Sequence, residues 1–341
     1  MKKVAINGFG RIGRQFLKVA LTRPEIEVVA INDLGDVDNL AYLFKYDSAQ
    51  RRSYSQVSTE KNGDEIFLIV DGKKIKFFQK KDPMELPWGV MGVDVVVEST
   101  GFFTSYDKAK VHLNAGAKRV VISAPADGGE GVSGKTILMG INEEDLPNFQ
   151  ITSNGSCTTN SVAAVAKIMS ETVGVQKAFL NTTHGYTATQ KLVDSPDAKE
   201  WRRGRAAAQN ISPSTTGAAI SVTQAVSELK GKFDGLAMRV PIITGSAADF
   251  TFLAKRPTSV KEIQEIFINA AKDPKWKNVF TVTDEQLVSS DIIGTTYASI
   301  VDLNFIKVVD GDLVKVIAWY DNEMGYTYSL VEHVVKVSQL V

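Results

Sequence analysis

Short apolar runs closed by glycine or polar turns dominate the first half of the chain, and longer stretches that alternate apolar with polar positions dominate the second. Runs of the first kind suit strands buried on both faces of a parallel sheet, and alternation suits strands with one covered face. Val4-Ala5-Ile6 predicts a strand, Gly8 to Gly13 a turn, the segment to about Thr22 an amphipathic helix, and Glu27-Val28-Val29-Ala30-Ile31 the next strand. Asp94 to Ser99 and Arg119 to Ser123 read as further buried parallel strands, with Tyr106 to Ala117 as the crossover helix between them. From Tyr54 to Lys80 the pattern alternates around Asn62-Gly63 and Asp71-Gly72, which favour tight hairpin turns at the edge of this first domain.

Past residue 157 the predicted strands are Lys177–Thr183, Gly235–Pro241, Ala247–Lys255, Thr296–Lys307 and Leu313–Tyr320, a mostly antiparallel sheet covered by helices. Ser259–Lys272 is one such helix, with Ser259 as N-cap and Val260, Ile263, Ile266 and Phe267 on one face. Tyr326 to Val337 again has helical spacing. At 341 residues the chain exceeds the usual size of one core. The expected organisation is a domain over 1–156, a second over 157–320, and a terminal segment, 321–341, that packs back on the first. No internal repeat, low-complexity tract or Pro-rich linker interrupts it.

Gly8-Phe9-Gly10-Arg11-Ile12-Gly13 gains meaning from its setting. G-x-G-x-x-G alone marks many ordinary turns; between a strand and a helix, with Asp33 20 residues past Gly13 at the end of the next strand, it reads as a dinucleotide fingerprint. Gly8 permits the tight turn, Gly10 lets backbone approach a pyrophosphate, and Gly13 lets helix and strand pack closely. The pyrophosphate then meets the helix N-terminus. Asp33 would accept hydrogen bonds from the adenosine ribose hydroxyls and repel a 2′-phosphate, which selects NAD over NADP; its ordinary alternative is a strand-end turn residue.

Composition narrows the partners. Thirty-nine basic residues balance 39 acidic ones, so no global charge favours nucleic acid or an anionic membrane, and any anion site must be local. A single cysteine excludes an internal disulfide framework and a zinc cluster and suits a reducing compartment. No signal peptide is read at the N-terminus, and no apolar run approaches the ~18–20 residues of a membrane span. A soluble, cytoplasmic protein is expected, with no metal.

That one cysteine, Cys157, lies in Ser156-Cys157-Thr158-Thr159-Asn160, just before the apolar helix-like segment Val162 to Met169. At a helix start, unpaired N–H groups and the dipole favour a thiolate, and the pKa is expected to fall below about 8.5. A lone cysteine is more often an inert core residue, yet hydroxyls on both sides argue against an apolar pocket. His184 ends a strand 27 residues later and is one excursion from the thiol, where its imidazole could take a proton from a reacting hydroxyl. His112 and His333 sit in helical stretches without such neighbours and read as structural. Thr187, Thr189, Arg202, Arg203, Arg205, the run Ser214-Thr215-Thr216-Gly217 and Arg239 suit two small anions. Arg239 stands in the apolar strand Leu236 to Pro241, where a fixed phosphate would compensate its charge.

Together these residues resemble the phosphorylating glyceraldehyde-3-phosphate dehydrogenases, nearly end to end. The resemblance is carried by Asn7 to Arg14, Ile31-Asn32-Asp33-Leu34, Ser156 to Asn160, His184-Gly185-Tyr186-Thr187, Gly204 to Asn210, Arg239-Val240-Pro241 and Trp319 to Tyr326. It implies an α/β fold, a Rossmann-type parallel-sheet domain with NAD as cofactor plus an α+β catalytic domain on a mostly antiparallel sheet, and a homotetramer. It makes Cys157 the nucleophile and His184 the general base. Thr187, Thr189 and Arg239 resemble the site for the substrate's own phosphate; Ser156, Thr158, Arg203, Thr216 and Gly217 resemble the site for inorganic phosphate. Cofactor contacts are implied at Gly8, Phe9, Gly10, Arg11, Ile12, Gly13, Asn32, Asp33, Leu34, Lys81, Thr100 and Ser123, with Asn322 fixing the nicotinamide carboxamide and Tyr326 near that ring. Leu34 and Pro196 match the NAD-preferring form. The chain departs from the common pattern at Ser161, where many members carry a second cysteine, at Gly155 for alanine, at Gly185 for serine, and at Lys81, often arginine.

The implied reaction is oxidation of glyceraldehyde 3-phosphate through a Cys157 thiohemiacetal and thioester, which inorganic phosphate cleaves to 1,3-bisphosphoglycerate. Two rivals stand beside it: a dehydrogenase of the same build acting on erythrose 4-phosphate or another aldehyde, and an NAD-binding redox sensor whose thiol reports oxidant without turnover.

Overall fold

The structure, a computed structural model, describes residues 1–198 and 200–341. The chain divides into two compact units: 1–137 with 143–155 and 330–341, and 138–142 with 156–329.

In the first unit the elements run β1 (Lys2–Asn7), α1 (Arg11–Ala20), β2 (Ile26–Asn32), α2 (Val37–Lys45), β3 (Val57–Asn62), β4 (Glu65–Val70), β5 (Lys73–Phe78), α3 (Trp88–Met91), β6 (Val95–Glu98), α4 (Tyr106–Asn114), β7 (Arg119–Ile122), β8 (Lys135–Thr136) and β9 (Ile151–Ser153). The sheet order is β3-β4-β5-β2-β1-β6-β7-β9-β8, parallel from β5 through β8 and antiparallel only in the β3-β4-β5 hairpins at one edge. Asp71 and Gly72 both take positive φ, the geometry of a two-residue hairpin turn. The strands are apolar without alternation because both faces are covered: Val4, Ala5, Ile6, Val95, Val96, Val97, Val120 and Val121 are all fully buried. β1 lies between β2 and β6, so the chain leaves it in one direction and returns on the other side; ligands of such sheets bind at the carboxyl ends of the strands where the order reverses. Ser105 caps α4 as its side chain accepts the Lys108 N–H.

The second unit runs α5 (Cys157–Thr172), β10 (Val175–Gly185), β11 (Ser212–Thr215), α6 (Ala218–Ala225), β12 (Phe233–Val240), β13 (Ser246–Ala254), α7 (Val260–Ala270), β14 (Phe280–Thr283), β15 (Ser299–Asp302), β16 (Lys307–Val309), β17 (Leu313–Tyr320) and the start of α8 (Met324–Ser338), whose residues from Leu330 onward belong to the first unit. Its sheet, β11-β12-β10-β13-β17-β15-β14 with β16 on β17, is mostly antiparallel. Alternation is regular on β13, where every second side chain from Ser246 to Ala254 is buried. Two pairs are parallel, β14 with β15 and β10 with β12, and the second of these carries the chemistry. One expected element is corrected: Thr296–Lys307 is no single strand. Asp302 accepts the Asn304 N–H at 3.0 Å and opens a 3-10 turn, Leu303–Phe305, that separates β15 from β16.

Candidate active site

The turn after β1 is shaped by backbone. Gly8 has φ +97°, and a Cβ there would lie 2.6 Å from the Ser99 carbonyl carbon; a Cβ on Gly13 would lie 2.1 Å from the Gly8 carbonyl oxygen, while one on Gly10 would meet nothing within 4 Å. Gly8 and Gly13 therefore admit no side chain, while Gly10 leaves open space beside the backbone. No side chain caps α1 at Gly10, so the positive helix end is left to an anion. At the end of β2, Asp33 accepts the Phe9 N–H at 2.7 Å and the Gly35 N–H at 2.8 Å, which fixes the carboxylate and leaves it lone pairs for ribose hydroxyls. These features fit a dinucleotide.

The other predicted cofactor residues of this unit take different stations. The Phe9 ring is fully buried and stacks on Phe44, and the Asn32 amide is spent inside the protein, donating to Asn7 Oδ1 and the Lys80 carbonyl and accepting the Lys80 N–H. Both brace the turn from within. Arg11 pairs with Asp47 at 3.0 Å, Ile12 is half-buried, and Leu34 and Lys81 are exposed. Thr100 gives its N–H and hydroxyl to Glu98, and half-buried Ser123 follows β7. His112 and His333 are both fully buried here: His112 bonds Glu98 at 2.9 Å and accepts the Trp88 indole N–H, and His333 meets Thr152 and Asn154.

In the second unit side chains make the site. Ser156 caps α5 by accepting the Thr159 N–H at 3.1 Å, which sets Cys157 on the first turn. His184, near the end of β10, brings Nε2 to 3.4 Å from the Cys157 sulfur. The parallel register of β10 and β12 puts Arg239 directly beside His184, with Nη1 2.6 Å from the imidazole Nδ1 and 3.1 Å from the Gly185 carbonyl oxygen. Below them, the Tyr320 hydroxyl joins Thr158 at 2.8 Å and Thr182 at 2.7 Å, and its ring meets His184 edge-on.

The electrostatics correct one expectation. The thiol pKa is raised, not lowered: burial of the sulfur outweighs the Arg239 charge and the helix-start N–H groups, although the residue keeps some exposed surface. The sequence shows a helix start but not the depth of desolvation around it. His184 is pushed down to about 3, first by burial and then by Arg239, so its imidazole is neutral at neutral pH. Arg239 is itself lowered by burial, in electrostatic reach of Cys157, Tyr320, Arg203 and Glu200.

Of the three clustered arginines, Arg205 pairs with Asp194 in solvent and Arg202 is exposed, whereas Arg203 is held by Glu200 at 2.8 Å and Ser214 at 3.2 Å. The Thr187 and Thr189 hydroxyls lie 2.9 Å apart; Thr216 accepts the Ala218 N–H at the start of α6, where Gly217 is exposed. The Thr158 hydroxyl is buried on Tyr320. Asn322 Oδ1 accepts the Ser246 hydroxyl at 2.8 Å and that of Thr244 at 3.2 Å, while Ser246 accepts the Gly185 N–H at 3.2 Å. An N–H only donates, so the single Ser246 proton goes to Asn322 Oδ1. Tyr326 is buried. Ser246 and Glu200 carry no expectation of a site role from the sequence, whereas Ser214 stands in the run expected to hold an anion. Tyr320 lies inside the motif Trp319 to Tyr326, without a role of its own there; Ser246 carries no local signal at all.

Comparison with known proteins decides the family. Residues 2–106 match the model of the glyceraldehyde 3-phosphate dehydrogenase NAD binding domain, and residues 156–322 match the model of its C-terminal domain. The chain belongs to the glyceraldehyde-3-phosphate dehydrogenase family. It is 47% identical over 336 residues to the glyceraldehyde-3-phosphate dehydrogenase of Clostridium pasteurianum, covering 97% of both chains. It is 46% identical to glyceraldehyde-3-phosphate dehydrogenase 1 of Kluyveromyces lactis, over 98% of this chain and 100% of that one. With glyceraldehyde-3-phosphate dehydrogenase 3 of Saccharomyces cerevisiae the identity is 45%, over 98% and 100%. As a dehydrogenase of this family the chain uses NAD, and the glycine turn and Asp33 described above lie inside the matched NAD-binding segment.

Proposed function

We propose that the protein oxidises glyceraldehyde 3-phosphate with NAD and inorganic phosphate to 1,3-bisphosphoglycerate, with Cys157 and His184 as the catalytic pair. One observation carries the reading: a sulfur at a helix start, 3.4 Å from the free-standing nitrogen of a neutral, buried imidazole. The Cys157 S–H breaks as the sulfur bonds to the aldehyde carbon, and that proton, passed by way of His184, turns the carbonyl oxygen into a hydroxyl. The helix-start N–H groups and His184 hold that oxygen. His184 Nε2 then accepts the hydroxyl proton as the carbon gives up its hydride, leaving a thioester on Cys157. NAD, when bound, supplies the hydride acceptor. Phosphate attacks the thioester, the C–S bond breaks, and the thiolate returns while the oxidation energy stays in an acyl phosphate.

Thr187, Thr189 and Arg239 hold the substrate's own phosphate in this reading, and Ser156, Thr158, Arg203, Thr216 and Gly217 hold the attacking phosphate. Asn322 fixes the carboxamide of the nicotinamide. Apart from Ser156, the residues of 1–156 serve the cofactor and those of 157–320 the chemistry. The working form is a cytoplasmic homotetramer, for which exposed Leu192, Val193 and Trp201 supply apolar contact surface.

The test is nicotinamide reduction followed at 340 nm with glyceraldehyde 3-phosphate, with and without inorganic phosphate, for NAD and NADP. Phosphate-dependent reduction of NAD is expected. Reduction that ignores phosphate would favour another aldehyde, such as erythrose 4-phosphate, and no reduction at all would leave an NAD-binding sensor.

A further inference from the structure

Three polar side chains stand in a row across the carboxyl ends of β2, β1 and β6. The parallel registers set Asn32 beside Asn7 and Asn7 beside Glu98, and all three are buried. Such a row is costly inside a parallel sheet unless its polar atoms are matched. Asn32 Oδ1 accepts the Lys80 N–H at 2.8 Å, and the Asn32 NH2 serves the Lys80 carbonyl and Asn7 Oδ1, which leaves the Asn7 NH2 to donate to Glu98 Oε2 at 2.6 Å.

A second donor reaches the same oxygen from α4. The Trp88 indole N–H only donates, and it meets His112 Nδ1 at 3.3 Å, so that nitrogen keeps its lone pair and Nε2 carries the proton that faces Glu98 Oε2 at 2.9 Å. The Asn7 amide nitrogen, 3.4 Å from Nε2, is a neighbouring donor. The other carboxylate oxygen accepts the Thr100 N–H at 2.8 Å and the Thr100 hydroxyl. Among the described residues every partner of Glu98 donates, and none is a cation. Both oxygens of Glu98 are therefore acceptors, a sense dictated by the Lys80 main chain on one side and the Trp88 indole on the other.

What this carboxylate holds is the loop after β6. Thr100 Oγ1 accepts the Phe102 N–H at 3.1 Å, the Ser99 hydroxyl donates to the Gly8 carbonyl oxygen at 2.7 Å, and the Phe103 ring meets His112 edge-on. Gly8 is pressed against the same loop, where a Cβ would lie 2.6 Å from Ser99 and Thr100. The loops after β1 and β6 flank the point at which the strand order reverses, the crevice in which a doubly wound sheet takes a dinucleotide.

We propose that Glu98 is a positioning residue for NAD: oriented by His112 and Asn7, it sets the 99–102 loop against the glycine turn, and with it the width of the crevice, while touching no cofactor itself. Glutamine keeps the shape of Glu98 but turns an NH2 towards one pair of donors, whichever way it lies. The inference rests on the use of NAD and not on the identity of the aldehyde.

Isothermal titration of the full-length protein with NAD, in the absence of any substrate, tests it. Glu98→Gln is expected to raise the NAD dissociation constant about 10-fold or more, whereas Glu130→Gln, which strips a carboxylate from Tyr106 and Thr136 in the same unit, leaves it within about twofold. His112→Phe is expected to weaken binding about fivefold, and His112→Gln, whose amide nitrogen stands in for Nε2–H, to restore it. If Glu98→Gln does not fold, the histidine pair decides. The wild type also decides alone: the chain has three histidines, and with 15N-labelled histidine the His112 ring is expected as the Nε2–H tautomer with and without NAD. Unchanged NAD affinity in Glu98→Gln, an equal loss in Glu130→Gln, no recovery in His112→Gln, or a wild-type Nδ1–H ring would each overturn the proposal.

Discussion

The glycine turn of the first unit and the thiol site of the second are built by opposite means. The first is six consecutive residues whose turn depends on the missing side chains of Gly8 and Gly13: a Cβ at Gly13 would sit 2.1 Å from a carbonyl oxygen. The second is made by side chains from α5, β10, β12, β13 and β17, spread over more than 160 positions, each held by another's hydrogen bond. A site of the first kind fails when a side chain is added at Gly8 or Gly13. One of the second kind fails when a functional group is taken away.

Substitutions can break this contrast, the harshest first. Cys157→Ser removes the easily ionised nucleophile and is expected to cut NAD reduction on the order of 10⁴-fold or more, leaving cofactor binding intact by fluorescence titration. Near-normal turnover would end the covalent route. His184→Asn removes the base and should lose roughly 10²–10⁴-fold in kcat, with thermal stability as the control for folding. On the other side, Gly13→Ala is expected to lower stability by about 1–3 kcal/mol and to weaken NAD binding, while alkylation of Cys157 by iodoacetamide in the absence of NAD keeps its rate. Altered alkylation would show that the two sites are not independent. Asp33→Ser should narrow the preference for NAD over NADP by roughly 10-fold to 100-fold in kcat/KM, since a charge-assisted acceptor is worth about 1.5–3 kcal/mol; an unchanged ratio would remove Asp33 from cofactor choice.

The gentlest test uses acid, because each unit holds a histidine that burial keeps neutral, His184 in one and His333 in the other. His184 and His333 are both pushed from the ordinary 6.5 down to about 3, chiefly by burial. The unfolded chain takes up those protons below pH 6.5 and the folded chain does not. Stability is therefore present in full above 6.5 and drains as pH falls towards 3, by up to about 1.4 kcal/mol per pH unit for each histidine. Urea midpoints between pH 7 and 5, above most carboxylate titration, should fall in the wild type, and His333→Gln should remove part of that slope. A flat profile would mean that neither ring is shielded.

Legibility followed the same divide. Period-2 and buried-strand patterns are local, so β1, β2, the hairpins and β17, whose bounds Leu313–Tyr320 match the alternation, could be read directly. The cap at Ser259 was visible for the same reason, its hydroxyl accepting the Glu262 N–H at 3.2 Å. Helix α2 escaped notice, with its short apolar stripe and mixed polar face, and the break at Leu303–Phe305 depends on one Asp302 side chain turning inward. The Cys157–His184 pairing was expected because both residues bear unusual chemistry. Ser246 was not, since a serine announces nothing until the Gly185 N–H and the Asn322 amide are found on either side of it.

The β10–β12 pair runs parallel inside a sheet that otherwise favours the opposite sense, and its ladder sets Thr183 against Met238, His184 against Arg239 and Gly185 against Val240. A slip of one step would seat a thioether or an isopropyl group beside the imidazole and send the guanidinium through to the far side of the sheet. Heritable variation along these eight-odd rungs is thus policed twice, once by folding and once by turnover, and drift that spares the first can still silence the second.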